Sequence, residues 1–171
     1  MGSWLSFLTS KTEDVDLEME TREVIRACLR DYVNLPVLPS GRDQERLRVS
    51  MGFCINDMLE QHRVRYEEMV RKTTNVAEIA TETFRGGETN WGRVVALVAY
   101  GAVACELGCP VPGPGYISST KERRVEVMAE RISNYLLEHQ REWMVQNQAW
   151  KGFVRWAFFI GPTRPKPKGK E

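Results

Sequence analysis

The stretch "ETNWGRVVALVAYGA", Glu88 to Ala102, is the most informative part of this sequence. It begins with polar residues and an arginine, Arg93, and the chain then continues without a charged residue from Val94 to Cys105. Asn90 is a residue type that caps helix N-termini, so the pattern predicts a helix over 91–107. Because this helix is apolar nearly all round, it is expected to lie at the centre of the fold, surrounded by other helices.

The rest of the chain shows the spacing of amphipathic helices, and no run alternates as a half-buried strand would. The predicted helices besides the central one are 14–33, 43–62, 66–71, 75–84 with Asn75 as its cap, one to about Glu138 with Ser118, Ser119 and Thr120 as its candidate caps, 141–148 and 150–159. About eight helices around one apolar helix predict an all-α fold, a compact bundle.

The domain organisation follows from the same pattern. Residues 14–160 are predicted to form one helical domain, residues 1–13 a flexible N-terminal segment, and residues 161–171 a disordered tail that is basic and proline-rich. The longest uncharged apolar run, 94–105, is shorter than the ~20 residues that cross a bilayer as a helix, so it is interpreted as core.

Composition and motif content exclude several classes of function. With 24 basic and 23 acidic residues, the chain has no charge footprint for nucleic acid. Four cysteines without a CxxC spacing and only two histidines do not predict a zinc site, and free thiols are expected instead. No glycine-rich phosphate loop is present, and neither histidine has a nucleophile beside it. We therefore predict no enzyme activity, no cofactor and no small-molecule substrate.

Two motifs resemble those of a known family. Asn90, Trp91, Gly92 and Arg93, followed by the apolar helix, are similar to the first homology motif of the B-cell lymphoma-two (Bcl-2) family of apoptosis regulators. About fifty residues later, "EWMVQNQAWKGFVRW" resembles the second homology motif of that family, a tryptophan, a polar spacer and then W-x-GF. The order and spacing of the two motifs agree with the family, and the resemblance covers roughly residues 14–160.

The resemblance implies a Bcl-2-like bundle with a hydrophobic surface groove that binds the amphipathic death-motif (BH3-type) helices of pro-apoptotic relatives. Arg93 would pair with the aspartate of the partner helix, and Gly92 would let its backbone approach closely. Asn90 would cap its own helix and offer a polar contact. The predicted groove residues are Arg93, Asn90, Gly92, Leu97, Tyr100, Ile79, Thr83, Met58, His62, Tyr66 and Met69.

The second helix decides between the roles that this resemblance allows. Leu47, Met51, Cys54 and Met58 have the spacing of a third, partner-type homology motif, but Asn56 stands where that motif prefers aspartate. A segment without the acid is a poor ligand for the groove arginine of a relative, so an anti-apoptotic receptor that sequesters death-motif helices is predicted. The alternatives are a pro-apoptotic pore-forming member and a helical scaffold that binds no partner.

The expected location is cytoplasmic, and association with the mitochondrial outer membrane or endoplasmic reticulum stays open because of the family and the basic tail. The N-terminus has no secretory signal pattern. Gly2 with Ser6 fits the N-myristoylation pattern, for which the alternative interpretation is an unmodified surface tail.

Overall fold

The computed structural model describes residues 2–73, 75–108 and 120–159, with side chains from residue 16 onward. The helices are α1 (Gly2–Tyr32), α2 (Arg42–Lys72), α3 (Val76–Thr83), α4 (Trp91–Leu107), α5 (Lys121–His139), α6 (Arg141–Gln146) and α7 (Ala149–Phe159). The described residues contain these seven helices and no strand, so the predicted all-α fold is confirmed.

Helix α4 is the central helix that the sequence predicted. Between Val94 and Cys105 every side chain except that of Ala96 is buried, and α1, α2, α3 and α5 all pack against it. The contact with α5 is close, because a Cβ atom added at Gly101 would lie 2.5 Å from Cδ1 of Ile132. An apolar helix without a solvated face is stable only in such surroundings.

Three predicted helix caps are confirmed. The side chain of Asn90 accepts a hydrogen bond from the amide of Arg93 at 3.0 Å. Asn75 accepts one from the amide of Ala77 at 3.0 Å, and Thr120 accepts one from the amide of Arg123 at 3.2 Å. Each cap satisfies a backbone donor that the first turn of a helix leaves without a partner.

The N-terminal boundary of the first helix was predicted wrongly. Helix α1 begins at Gly2, whereas the sequence predicted a flexible segment up to residue 13 and a helix from Asp14. The prediction relied on Asp14 and Asp16 as acids of a first turn, a preference of only about 0.3–1 kcal/mol. No proline or glycine lies between Ser3 and Asp14, so nothing in the local sequence stops the helix from extending further.

Two predicted helices form one helix with a kink. Helix α2 includes both predicted segments, 43–62 and 66–71, and this merger accounts for seven helices where about eight were predicted. At His62 the backbone leaves the helical region, with φ −132° and ψ 22°. The predicted interruption is therefore present as a change of direction inside α2.

The two family-like motifs meet at one end of the bundle. The ring of Trp91 lies 4.8 Å from that of Trp143, 5.7 Å from that of Trp150 and 5.7 Å from that of Phe153, measured between ring centres. The indole nitrogen of Trp150 donates to the hydroxyl of Thr21 at 2.9 Å, which connects this cluster to α1.

Several sequence predictions concern residues that the structure does not describe. Cys109 and the tail 161–171 lie outside the described residues, as does the side chain of Ser6 in the lipidation pattern. Cys28, Cys54 and Cys105 are buried free thiols, as predicted. Within the described ranges, no helix combines the length and apolar character needed to cross a membrane.

Candidate groove at the N-terminal end of the central helix

Arg93 lies in the first turn of α4 and is half-buried. Its Nη1 donates to the backbone carbonyl of Arg85 at 2.9 Å, which holds the guanidinium against the turn that precedes α4. Among the described residues, no carboxylate forms an ion pair with it. Since a guanidinium has five N–H donors, Arg93 retains donors for a carboxylate from outside the chain.

The turn beside Arg93 depends on glycine. Gly86 has a φ of 100°, a conformation that residues with a side chain rarely adopt. A Cβ atom there would lie 3.9 Å from Nη2 of Arg93. An acidic side chain at this position would therefore be strained and would compete for the guanidinium.

Gly92 and Asn90 lie beside Arg93 at the surface. Asn90 is exposed, and its side-chain oxygen is already used as the helix cap. Gly92 is half-buried, and a Cβ atom there would meet Oδ1 of Asn90 at 3.1 Å and Cζ2 of Trp156 at 4.0 Å. Trp156 of α7, which ends the second motif, is thus a neighbour of Gly92 that is absent from the predicted groove residues.

One predicted groove residue is corrected by the packing of α4. Leu97 is fully buried and lies four residues before Gly101, whose open side contacts Ile132 and Leu29. Residues four apart share a helix face, so Leu97 points to the core between α1 and α5. Ala96, three residues after Arg93, is half-buried and continues the accessible face. On this side of α4, Ala96 is therefore the accessible neighbour of Arg93, and Leu97 is not.

The remaining predicted residues lie at three depths. Tyr100 is fully buried, and Tyr66 and Ile79 are 7% exposed. Met58, Met69 and Thr83 are half-buried, and His62 is exposed at the kink. The hydroxyl of Tyr66 donates to Sδ of Met58 at 3.0 Å across the kink.

The deepest predicted residues of the candidate groove, Tyr100, Tyr66 and Ile79, are buried in this structure. A cavity of about 710 Å³ lies elsewhere, between α1, the loop 36–40 and the start of α2, and no predicted groove residue lines it. Within the described ranges, no group of three or more His, Cys, Asp or Glu residues is arranged to hold a metal ion.

Fold and site together define a helical bundle with an apolar central helix and, at the N-terminal end of that helix, an arginine that forms no ion pair with any described carboxylate. The model of the family described as "Apoptosis regulator proteins, Bcl-2 family" matches residues 51–150. This match covers more than half of the chain, and the chain belongs to the Bcl-2 family.

Individual relatives agree with this assignment. "Apoptosis regulator R1" of Xenopus laevis is 26% identical over 168 residues, which cover 90% of this chain and 68% of R1. "Anti-apoptotic protein NR13" of Coturnix japonica is 32% identical over 91 residues, which cover 53% of this chain and 45% of NR13. The chain thus spans less than half the length of this second relative.

The fold is similar to solved structures of the zebra-fish pro-survival protein NRZ. The structure of NRZ without ligand aligns with a TM-score of 0.67 at 20% identity, over 84% of this chain and 95% of NRZ. The structure of the NRZ:Bad BH3 complex aligns with a TM-score of 0.69 at 20% identity, over 85% of this chain and 97% of that chain.

Proposed function

We propose that this chain restrains apoptosis by sequestering BH3-type helices of pro-apoptotic relatives in the groove that Arg93 borders. The observation that carries the proposal is the half-buried guanidinium of Arg93, which has a carbonyl partner but no described carboxylate partner. It is supported by relatives named anti-apoptotic and pro-survival, and by the solved complex of NRZ with a Bad BH3 segment.

Binding would combine apolar burial with one charged pair. A partner helix carries apolar side chains at i, i+3 or i+4 spacing, and each that is fully buried contributes about 1.5–3 kcal/mol before the entropy costs of association. Met58, Met69, Ala96 and the deeper Tyr100 would contact these side chains. Methionine repacks readily, so this wall suits partners of different sequence.

The structure of α2 bears on the pro-apoptotic alternative. A pore-forming relative would have to release this helix so that its apolar stripe engages another groove. In this chain Leu47, Met51 and Cys54 are all at most 3% exposed, and Asn56 stands where aspartate would be needed. The release of this stripe would expose core surface without offering a carboxylate to a groove arginine, so the receptor role is favoured.

Calorimetric titration with a BH3-type peptide tests the proposal. We expect tight binding by the wild type and a loss of about 2–5 kcal/mol in Arg93→Ala, because that variant removes one side of a desolvated charged pair. Replacing the peptide aspartate by asparagine should cause a similar loss, and little more in the Arg93→Ala background. Arg26→Ala, which removes an arginine paired with Glu126 on another face, is the matched control. Failure of every peptide to bind would contradict the proposal.

A cytoplasmic protein that contacts membranes at their surface is the second part of the proposal. Phe158 and Phe159 are 68% and 61% exposed, and they share the exposed face of α7 with Lys151 and Arg155. Residues 143–170 contain six basic side chains and no acidic one. Aromatic rings beside basic residues are typical of segments that lie on anionic membranes.

Vesicle sedimentation tests this second part. We expect binding to vesicles that contain phosphatidylserine, loss of binding in Phe158→Ser/Phe159→Ser, and no binding to neutral phosphatidylcholine vesicles. Equal recovery with both lipids, or no effect of the double substitution, would contradict it.

A further inference from the structure

The part of α2 after the kink contributes Tyr66 and Met69 to the candidate groove and ends beside its deeper residue Tyr100. Residues 63–72, the post-kink segment, bury Tyr66 and Val70 against the bundle. At the end of the segment, the hydroxyl of Tyr100 donates to the backbone carbonyl of Thr73 at 2.8 Å. Tyr100 is fully buried, and this hydrogen bond places the end of the post-kink segment beside its hydroxyl.

Arg63, the first residue of the segment, connects three helices. Its Nη1 donates to the hydroxyl of Tyr32 in α1 at 2.7 Å, and its Nη2 donates to Glu106 in α4 at 2.6 Å. Its Nε donates to Glu67 within the segment itself at 3.1 Å. All three guanidinium nitrogens therefore have partners, and two of these lie on helices that do not belong to the segment.

The acid–base properties of the cluster agree with this geometry. Burial alone would raise the pKa of the Glu106 carboxyl, but hydrogen bonds from Arg63 and Tyr32 lower it below its ordinary value. Burial, followed by the hydrogen bond to Glu106, raises the pKa of Tyr32 to about 12. At neutral pH, Glu106 is thus ionised and Tyr32 is neutral, which are the states that accept and donate in this cluster.

We propose that Arg63 is a positioning residue that holds the post-kink segment closed over the candidate groove, with His62 as the hinge. The inference rests on the proposed function, because the candidate groove is the one to which a partner helix would bind. His62 already departs from helical geometry, so the segment changes direction there without breaking a regular helix. Reorientation of the segment separates Arg63 from Tyr32 and Glu106.

The contacts of Arg63 with Tyr32 and Glu106 are called the clamp below. The clamp would reduce the apparent affinity for a partner, because only the fraction of molecules with an open segment can bind. Arg63→Met keeps an apolar stem and removes the cross-helix contacts. Because the Arg63 and Glu106 side chains are 36% and 41% exposed, we expect the open fraction to rise by only about fivefold, the equivalent of about 1 kcal/mol. Hydrogen exchange of the segment amides and the association rate of a BH3-type peptide should both rise by that factor.

Arg48→Met is the matched control. Arg48 also lies on α2 and pairs with α1, at 2.9 Å from Asp31, but it lies before the kink. Its loss should leave exchange in the post-kink segment unchanged. Glu106→Gln removes one charged partner with little change of shape and should reproduce most of the Arg63→Met effect. Added salt should raise segment exchange in the wild type and not in Arg63→Met, since screening weakens only the clamp that is present.

The two proposals fail in different ways. Unchanged segment exchange in both Arg63→Met and Glu106→Gln would overturn the clamp, as would an equal rise in Arg48→Met. Absence of peptide binding in every variant would overturn the proposed function, whereas the exchange measurements would still decide whether Arg63 holds the segment.

Discussion

Replacement of Gly152 by alanine tests how the second motif is built. Gly152 follows a tight turn in which Gln148 and Ala149 have φ values of 67° and 50°. A Cβ atom at Gly152 would overlap the backbone carbonyl oxygen of Asn147 and would lie 3.4 Å from Cβ of Gln148. Backbone atoms of a turn cannot move aside as a side chain can, so the turn or the start of α7 must shift.

The cost follows from that overlap. Inserting a methyl group into a filled site typically destabilises a protein by 1–3 kcal/mol, and contact with backbone puts Gly152→Ala near about 3 kcal/mol. The better helix propensity of alanine offsets about 1 kcal/mol. We expect a net loss of about 2 kcal/mol, which lowers the melting temperature by about 4–8 °C in a domain of this size.

Thermal unfolding followed by circular dichroism measures the loss, with two other glycines as controls. Nothing lies within 4 Å of a Cβ atom at Gly52 in α2, so Gly52→Ala should be neutral or stabilising by up to about 1 kcal/mol. At Gly101 the obstacle is the end of the Ile132 side chain, so Gly101→Ala should fall between the two. A melting temperature for Gly152→Ala equal to that of Gly52→Ala would refute this reasoning.

Three further changes have defined outcomes. Thr21→Val leaves the buried indole N–H of Trp150 without its partner and should cost about 1–3 kcal/mol in a denaturant titration, whereas Thr21→Ser should restore most of it. Tyr100→Phe removes the hydrogen bond to Thr73 and should cost about 0.5–1.5 kcal/mol in the same titration; no loss would show that the bond does not contribute. Burial, more than any neighbouring charge, raises the pKa of Glu20 in the folded state, so its proton binds more tightly there than in the unfolded state. The contribution of Glu20 to the free energy of unfolding is therefore present below its unfolded pKa and is lost as the pH rises through its folded pKa. In unfolding titrations across this pH range, Glu20→Gln should be more stable than the wild type at neutral pH.

The parts of the fold that the sequence predicted well are those determined by local chemistry. The central helix has its start at Asn90 and its end at Gly108, which has φ 72° and cannot easily be replaced there by a residue with a side chain. Asn75 and Thr120 are caps for the same local reason. Each of these signals depends on a side chain and the amides next to it, so no knowledge of the tertiary structure was needed.

The errors occur where distant residues decide. The sequence predicted two separate helices around residues 63–65, but α2 continues through the kink at His62. There Arg63 donates to Tyr32 of α1, and Tyr66 donates to Met58 across the kink. Leu97 and Ala96 both have helical spacing from Arg93. Only the packing of α5 at Gly101 shows that Leu97 faces the core and Ala96 does not.

Only part of the candidate site could be predicted, again because distant residues contribute to it. Asn90, Gly92 and Arg93 belong to one contiguous motif, so their proximity is fixed by a single helical turn. Trp156 lies more than sixty positions away in the chain, and its approach to Gly92 follows from how α7 packs on the bundle. No periodicity in the sequence of α7 indicates which of its aromatic residues makes that approach.

The tryptophans are concentrated at one end of the bundle. Four of the five tryptophans belong to the two motifs or follow them directly, and Trp91 lies within 6 Å of Trp143 and Trp150 between ring centres. Intrinsic fluorescence is therefore dominated by one end of the molecule, whereas circular dichroism averages over every helix. A helix that enters beside Gly92 would change the surroundings of Trp156, so its binding can be followed by emission without any added label.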